Sequence, residues 1–296
     1  MIKLRSLFLS ISGCLILYDC EKNVDFKLDE AEPKLVVDAS IENGQAPLVT
    51  LTKSLDYFST FTPQLLAQSF VHGADVFVSD GSTTVKLKEY AIPVTAGISV
   101  YYYTTDSSSP GSSIKGQIKK SYSLKIFSDG KEFTASTTIP DTSRKIDSLW
   151  WKPIPNSTDT TKAVVMIRAT DPAGYGDYIR YYTRNQRQPV FYPPMNSVYD
   201  DLFIDGTTYE VQIQPGYNRN GDTTDKDFFY RRDTVNFNIS NIDRPTFDFW
   251  RTWEYSVSSV GNPFSTPNKV LGNISNGALG YFGGYASQYR TLVIPR

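Results

Sequence analysis

The sequence predicts a mainly β fold: an immunoglobulin-like or transthyretin-like β-sandwich, then a β-rich C-terminal domain with one helix near residues 244–257. Three observations carry this. Apolar residues alternate with period two in short runs. Asp-Gly pairs, the strongest short hairpin signal, sit between such runs. One segment alone, opened by Asp243 and Pro245, combines a cap, an early proline and helical spacing of large apolar residues. The chain has 296 residues, 40 % hydrophobic and 21 % charged. That is enough to bury a core and is not the composition of a disordered chain.

The N-terminus reads as an address. Lys3 and Arg5 precede a mostly apolar stretch, Leu7–Tyr18, shorter than the roughly 20 residues that span a bilayer. Residues 1–19 therefore read as a lipoprotein signal peptide. Cys20 is the expected lipidation site. Cys14 is the alternative, because the small residues Ser12 and Gly13 stand before it. Cleavage before Cys14 leaves an apolar region of about five residues, below the usual minimum of about seven. The chain has two cysteines, so lipidation at Cys20 leaves the mature chain without an internal disulfide. Residues 20–32 read as a polar, acidic-leaning tether. No later segment is long and apolar enough to be a transmembrane helix.

Residues 33–143 are predicted to form the β-sandwich. Lys34–Ser40 places Leu35, Val37 and Ala39 on one face, and Val49 with Leu51 continues the pattern. Ala74–Ser79 and Thr83–Leu87 flank Asp80-Gly81, and Val100–Thr104 is a tyrosine-rich strand. Ser107–Ser113 is a loop tip. Tyr122, Leu124 and Ile126 face Phe133 and Ala135 across Asp129-Gly130. The boundary is placed near 144, after Thr138-Ile139-Pro140-Asp141. Residues 144–296 form the second domain. Its strands are Ile146–Lys152, Ala163–Thr170, Tyr178–Thr183 and Thr234–Ile239. A third Asp-Gly pair, Asp205-Gly206, lies between Leu202–Ile204 and Thr208–Ile213. The helix carries Phe247, Trp250, Trp253 and Tyr255. Two closing strands, Leu279–Phe282 and Thr291–Ile294, follow a glycine-rich stretch.

Composition excludes several activities. Lys and Arg number 30 against 31 Asp and Glu, a net charge of −1, so no basic surplus drives phosphate binding and no nucleic-acid partner is expected. The single histidine, His72, and the lack of a Gly-x-Ser-x-Gly elbow argue against a histidine-dependent nucleophile. The only Gly-Lys pair, Gly130-Lys131, lies inside a hairpin, and there is no dinucleotide fingerprint. No enzyme activity, cofactor or metal site is predicted. Carboxylates that need no motif remain available for glycan chemistry: Asp171, Asp177, Asp200, Asp201 and Glu210. The acidic run Gly221–Asp227 reads as a solvated loop rather than a calcium loop, since Lys226 opposes a cation. Aromatic residues make up 14 % of the chain. Tyr101 and Tyr103 share a strand face, Trp151 is half of a split pair, and Tyr192 adjoins Pro193-Pro194. These four rings are the predicted ligand or partner surface.

An ordered set of short segments resembles a known family. It begins with Cys20-Glu21-Lys22 and Pro33-Lys34-Leu35-Val36-Val37. Tyr122-Ser123-Leu124-Lys125-Ile126, Gly130, Thr138-Ile139-Pro140 and Ile146-Asp147-Ser148 follow. Asp171-Pro172 with Gly176-Asp177-Tyr178 comes next. Asn262-Pro263-Phe264, Pro267, Asn273-Ile274, Asn276-Gly277 and Gly280-Tyr281-Phe282 complete it. Together they resemble the domain-of-unknown-function 4249 family across nearly the whole mature chain. Asp19 departs from the small residue usual before the family's cysteine. The resemblance implies an outer-membrane lipoprotein, often encoded near TonB-dependent transporters, with no assigned activity and no catalytic residues to carry over. The expected function is a non-enzymatic accessory or binding component beside such a transporter, anchored by its lipid and offering its loops to a glycan or peptide. The alternatives are a glycan-binding or carboxylate-dependent glycan-acting surface protein, and a structural envelope lipoprotein.

Overall fold

Period-two alternation sets the first strand. In β1 (Leu35–Glu42), Val37, Ala39 and Ile41 are buried while Val36, Asp38 and Ser40 take the other face. The computed structural model describes residues 32–296 except 56–58, 61, 96–97, 110–112, 220, 222–225, 263 and 267. Cys14, Cys20 and the tether lie outside the described residues, as does most of the Gly221–Asp227 run. β1 is followed by β2 (Leu48–Lys53), α1 (Pro63–Ser69), β3 (Asp75–Ser79), β4 (Thr84–Lys86), β5 (Lys88–Thr95) and β6 (Ile98–Thr104). Then come β7 (Lys120–Ser128), β8 (Lys131–Ile139), β9 (Lys145–Pro153), β10 (Lys162–Thr170), β11 (Tyr178–Arg184) and β12 (Val198–Tyr199). The chain closes with β13 (Thr208–Ile213), β14 (Phe229–Tyr230), β15 (Thr234–Ile242), α2 (Arg244–Ser258) and β16 (Leu279–Val293).

The protein is mainly β; its sheets are antiparallel apart from the β1–β16 pair, and among the described residues none closes into a barrel. The largest sheet has the order β12-β11-β15-β16-β1-β2-β6-β5. A second has β4-β3-β7-β8, and a third joins β9, β13 and β14 around β10. The first core lies between the β1, β2 and β6 part of the large sheet and the β3-β7-β8 sheet; Ile41, Leu51, Leu124, Ile126 and Phe282 fill it. The second lies between β11 and β15 on one side and β9, β10 and β13 on the other, with Ile167, Ile179, Val235, Phe237 and Ile239. Asp129 and Gly130 adopt φ of 48° and 72°, which is how a two-residue loop reverses the chain between β7 and β8 without splaying them.

Four features differ from the sequence reading. Asp205-Gly206 does not turn a hairpin: residues 201–206 are a run of turns, because the Asp201 carbonyl accepts from the N–H groups of both Ile204 and Asp205 (3.0 Å each). β13 pairs with β10 instead. The two expected closing strands are one strand, β16. Its first half runs parallel to β1 (Val36 opposite Leu279) and its second half antiparallel to β15 (Asn241 opposite Ala286). α1 was not expected; Thr62 caps it by accepting from Leu65 N–H (3.1 Å), and Pro63 opens it. β5 was not expected either, and Pro93 is tolerated there because β5 is an edge strand. The position near 144 falls between β8 and β9, and strands from both sides of it share the large sheet through β16.

Candidate functional site

α2 is held across the outer face of the large sheet. Asp243 caps it, its carboxylate accepting from Thr246 N–H (3.0 Å). Phe249 stacks on Tyr281 of β16 with centroids 4.7 Å apart and planes 16° apart. Trp250 Nε1 donates to the Tyr285 hydroxyl (2.8 Å). The Arg180 guanidinium of β11 lies 3.2 Å from the Trp250 ring centroid. Arg180 Nε donates to Ser197 Oγ (3.0 Å), and Ser197 donates through its N–H (3.1 Å) and its hydroxyl to the Glu254 carboxylate of α2. Arg180, Ser197 and Glu254 are all buried. Buried ions are tolerated when their hydrogen-bonding capacity is used in this way, and the network fixes the height of the helix above the sheet.

Beside this network a cavity of about 780 Å³ opens under α2. Phe249, Trp250 and Trp253 form the helix wall, and Val36 and Asp38 of β1 with Tyr281 of β16 form the sheet wall. The segment from Lys269 to Ala278 closes the third side. Asn273 pins that segment: its amide accepts from Phe282 N–H (2.9 Å) and donates to Phe282 O (2.9 Å) and Ser136 O (3.0 Å). The close approach needs glycine. A Cβ on Gly272 would stand 2.4 Å from Gly280 O, and one on Gly280, whose φ is +96°, would stand 1.9 Å from Val37 O.

Asp38 is the carboxylate of the cavity. It is open to solvent on the cavity side yet crowded by protein elsewhere. That crowding raises its pKa, while the charge of Arg180 pulls the other way. Lys34 and Lys269 are exposed on the lining. The cavity thus joins indole and phenyl faces, one carboxylate acceptor and two ammonium donors. That set suits a small ligand with an apolar or ring face and hydrogen-bonding groups on its edge.

The four rings singled out in the sequence are not in this cavity and do not form one surface. Tyr103 is 2 % exposed and belongs to the first core. This corrects its place among surface candidates: its hydroxyl accepts from Ala74 N–H (3.3 Å) and lies 3.0 Å from Val71 O, so the ring is held inside the core. Tyr101 is half-buried, packed on Phe70 (5.5 Å) and the His72 ring (4.3 Å). Trp151 leans on the second core, with the Arg231 guanidinium 3.9 Å from its ring centroid. Tyr192 is half-buried, its backbone bridging Thr183 of β11. Among the described residues no ring contact joins any two of the four.

Residues 21–291 match the family model described as "Domain of unknown function (DUF4249)". The chain belongs to the DUF4249 family. No curated protein matches it. In this DUF4249 protein the cavity residues were missed by sequence reading, although one signal existed. Phe249, Trp250 and Trp253 stand in the one segment with helical spacing, and an amphipathic helix packed on a sheet must cover something. Asp38 carried no signal, because an acid alternating with apolar residues reads as a solvated position. Of the carboxylates considered for glycan chemistry, Asp171 and Asp201 are buried and Glu210 is exposed. Asp171 pairs with the fully buried Arg144 (2.6 Å), and Asp177 accepts from Ser143 Oγ (2.6 Å).

Proposed function

We propose that this protein is an outer-membrane lipoprotein, acylated at Cys20, whose body captures a small ligand in the cavity under α2. It works as a non-enzymatic accessory beside a TonB-dependent transporter. The observation that carries the binding role is the cavity itself: about 780 Å³, walled by Trp250 and Trp253, with Asp38 open to its interior. That volume lies within the range of small-molecule sites, roughly 300–1,000 Å³. Family membership and the signal-like N-terminus support the envelope location. Several acyl chains hold a protein to a bilayer where one chain binds only marginally.

The test is affinity purification from outer membranes in mild detergent, beside a Cys20→Ala variant. A transporter retained in stoichiometric amount with the protein and lost with the variant is the expected result. A protein that fractionates as soluble, with no transporter, overturns it. A second reading, an independent glycan-binding surface protein, is favoured by the paired indoles beside a carboxylate, since sugars stack on such faces. A glycan array decides it: saturable binding that Trp253→Ala abolishes, with no transporter retained, selects this reading.

A further inference from the structure

We infer that Asp171, Asp201 and Asp205 form a binding site for one divalent cation of the hard, oxygen-liganded kind, for which Ca²⁺ is the natural probe. The site is separate from the cavity under α2. It forms where the segment after β10 meets the turns before β13. Each of the three carboxylates offers one oxygen, and these oxygens all lie within 4.8 Å of one another. That spacing fits oxygens gathered around a single ion with metal–oxygen distances of about 2.3–2.6 Å.

The hydrogen bonds around the trio explain its geometry but do not neutralise it. Asp171 Oδ1 accepts from Arg144 Nε (2.6 Å) and lies 2.6 Å from Arg144 Nη2. Asp201 Oδ2 accepts from the N–H groups of Gly176 (2.7 Å) and Asp177 (3.0 Å). Asp205 Oδ1 accepts from Gly174 N–H (2.6 Å). One oxygen of each carboxylate is thereby fixed. The second oxygen of Asp171, Oδ2, is buried without any partner, on a side chain that is 0 % exposed. A charged acceptor withdrawn from water and given no donor is among the least favourable groups a protein can hold. Arg144 engages only the other oxygen, so Oδ2 is left open to a cation.

The charge count points the same way. The three carboxylates of the trio, with Asp177 close by, outnumber the one guanidinium that bonds them, Arg144. The trio therefore carries an excess of acceptors and negative charge over its donors. The donors are oxygens alone, with no imidazole or thiolate in the trio, which favours Ca²⁺ or Mg²⁺ over zinc. Mg²⁺ gives up its waters reluctantly, so Ca²⁺ is expected to bind more tightly.

The experiment is calorimetric titration of the full-length, detergent-solubilised protein with CaCl₂ after chelation, together with thermal unfolding in Ca²⁺ and in EDTA. Three forms are compared: wild type, Asp205→Asn and Glu210→Gln. Asn keeps an oxygen for Gly174 N–H and removes one charge; Glu210 is an exposed carboxylate on β13 outside the trio. One saturating Ca²⁺ per wild-type chain is expected, with a rise in Tm. Asp205→Asn should weaken binding at least about tenfold and lose the Tm rise, while Glu210→Gln keeps both; extracellular calcium modules bind at about 10⁻⁴–10⁻³ M, which sets the range to scan. No saturable binding by wild type in that range overturns the inference, and so does Asp205→Asn binding as wild type does. The wild-type titration decides the question even if the variant does not fold.

Discussion

Gly280 is where strand pairing and cavity depend on a single missing atom. Substituting alanine there places a Cβ 1.9 Å from Val37 O, 2.8 Å from Val37 C and 2.9 Å from Val37 N, about 1.5 Å short of an ordinary 3.4 Å contact. The obstructing atoms are backbone of β1, so no side chain can swing away. The residue's φ of +96° adds strain for any L side chain. The conformational part costs roughly 1–2 kcal/mol, and forced overpacking adds about 1–3 kcal/mol. The expected loss is about 2–5 kcal/mol, a Tm lower by roughly 4–20 °C for a domain of this size. Gly277→Ala is the matched control, with φ of +74° and nothing within 4 Å of the added atom. It bears the conformational part alone, roughly 1–2 kcal/mol or about 2–8 °C. Thermal unfolding followed by circular dichroism compares the two. If Gly280→Ala loses no more than Gly277→Ala, the close parallel seam between β1 and β16 is not what holds this region together.

Tyr103→Phe removes a hydroxyl that serves Ala74 N–H, Val71 O and Glu89 Oε2 (3.1 Å) inside the first core. Urea unfolding should show a loss of about 1–3 kcal/mol, the cost of leaving buried polar groups unpaired. Asp38→Asn tests the cavity carboxylate through pH. Because the folded pKa of Asp38 is raised, the folded state holds its proton longer than the unfolded state does. Wild-type stability therefore falls as pH rises from the ordinary carboxylate pKa through the raised one. The variant should be at least as stable as wild type at neutral pH, with the difference vanishing in acid; a difference that grows in acid would refute the assignment. Asp243→Ala should cost about 1 kcal/mol by uncapping α2. It should also weaken ligand binding in the cavity, read by Trp250 and Trp253 fluorescence.

Much of the strand architecture was legible because its causes are local. Val37, Ala39 and Ile41 alternate, Asp129-Gly130 supplies the two positive φ angles of a tight turn, and Asp243 with Pro245 starts a helix. Each is settled within a few residues by dihedral preference, hydrogen bonding and burial. Reading failed where neighbours distant in sequence decide. Two closing strands were expected where one, β16, runs unbroken, and its glycines allow the close approach: Gly280 faces Val37 backbone of β1 and Gly284 faces Thr138 backbone of β8, each too close for a side chain. Tyr103 looked like a surface ring, because alternation says which residues share a face and not which face another sheet covers.

The sequence by itself determined a β-rich chain of the DUF4249 family, its Asp80-Gly81 and Asp129-Gly130 hairpins and its one long helix. Only the tertiary structure decided that Lys34 and Asp38, Trp250 and Trp253, and the Lys269–Tyr281 segment meet around one cavity. It likewise decided that Asp171 lies within reach of Asp201 and Asp205. The physical reason is the same in both cases. Local pattern specifies backbone conformation through interactions a few residues long, whereas a site is a coincidence of side chains brought together by sheet order and register, which no short stretch of sequence encodes.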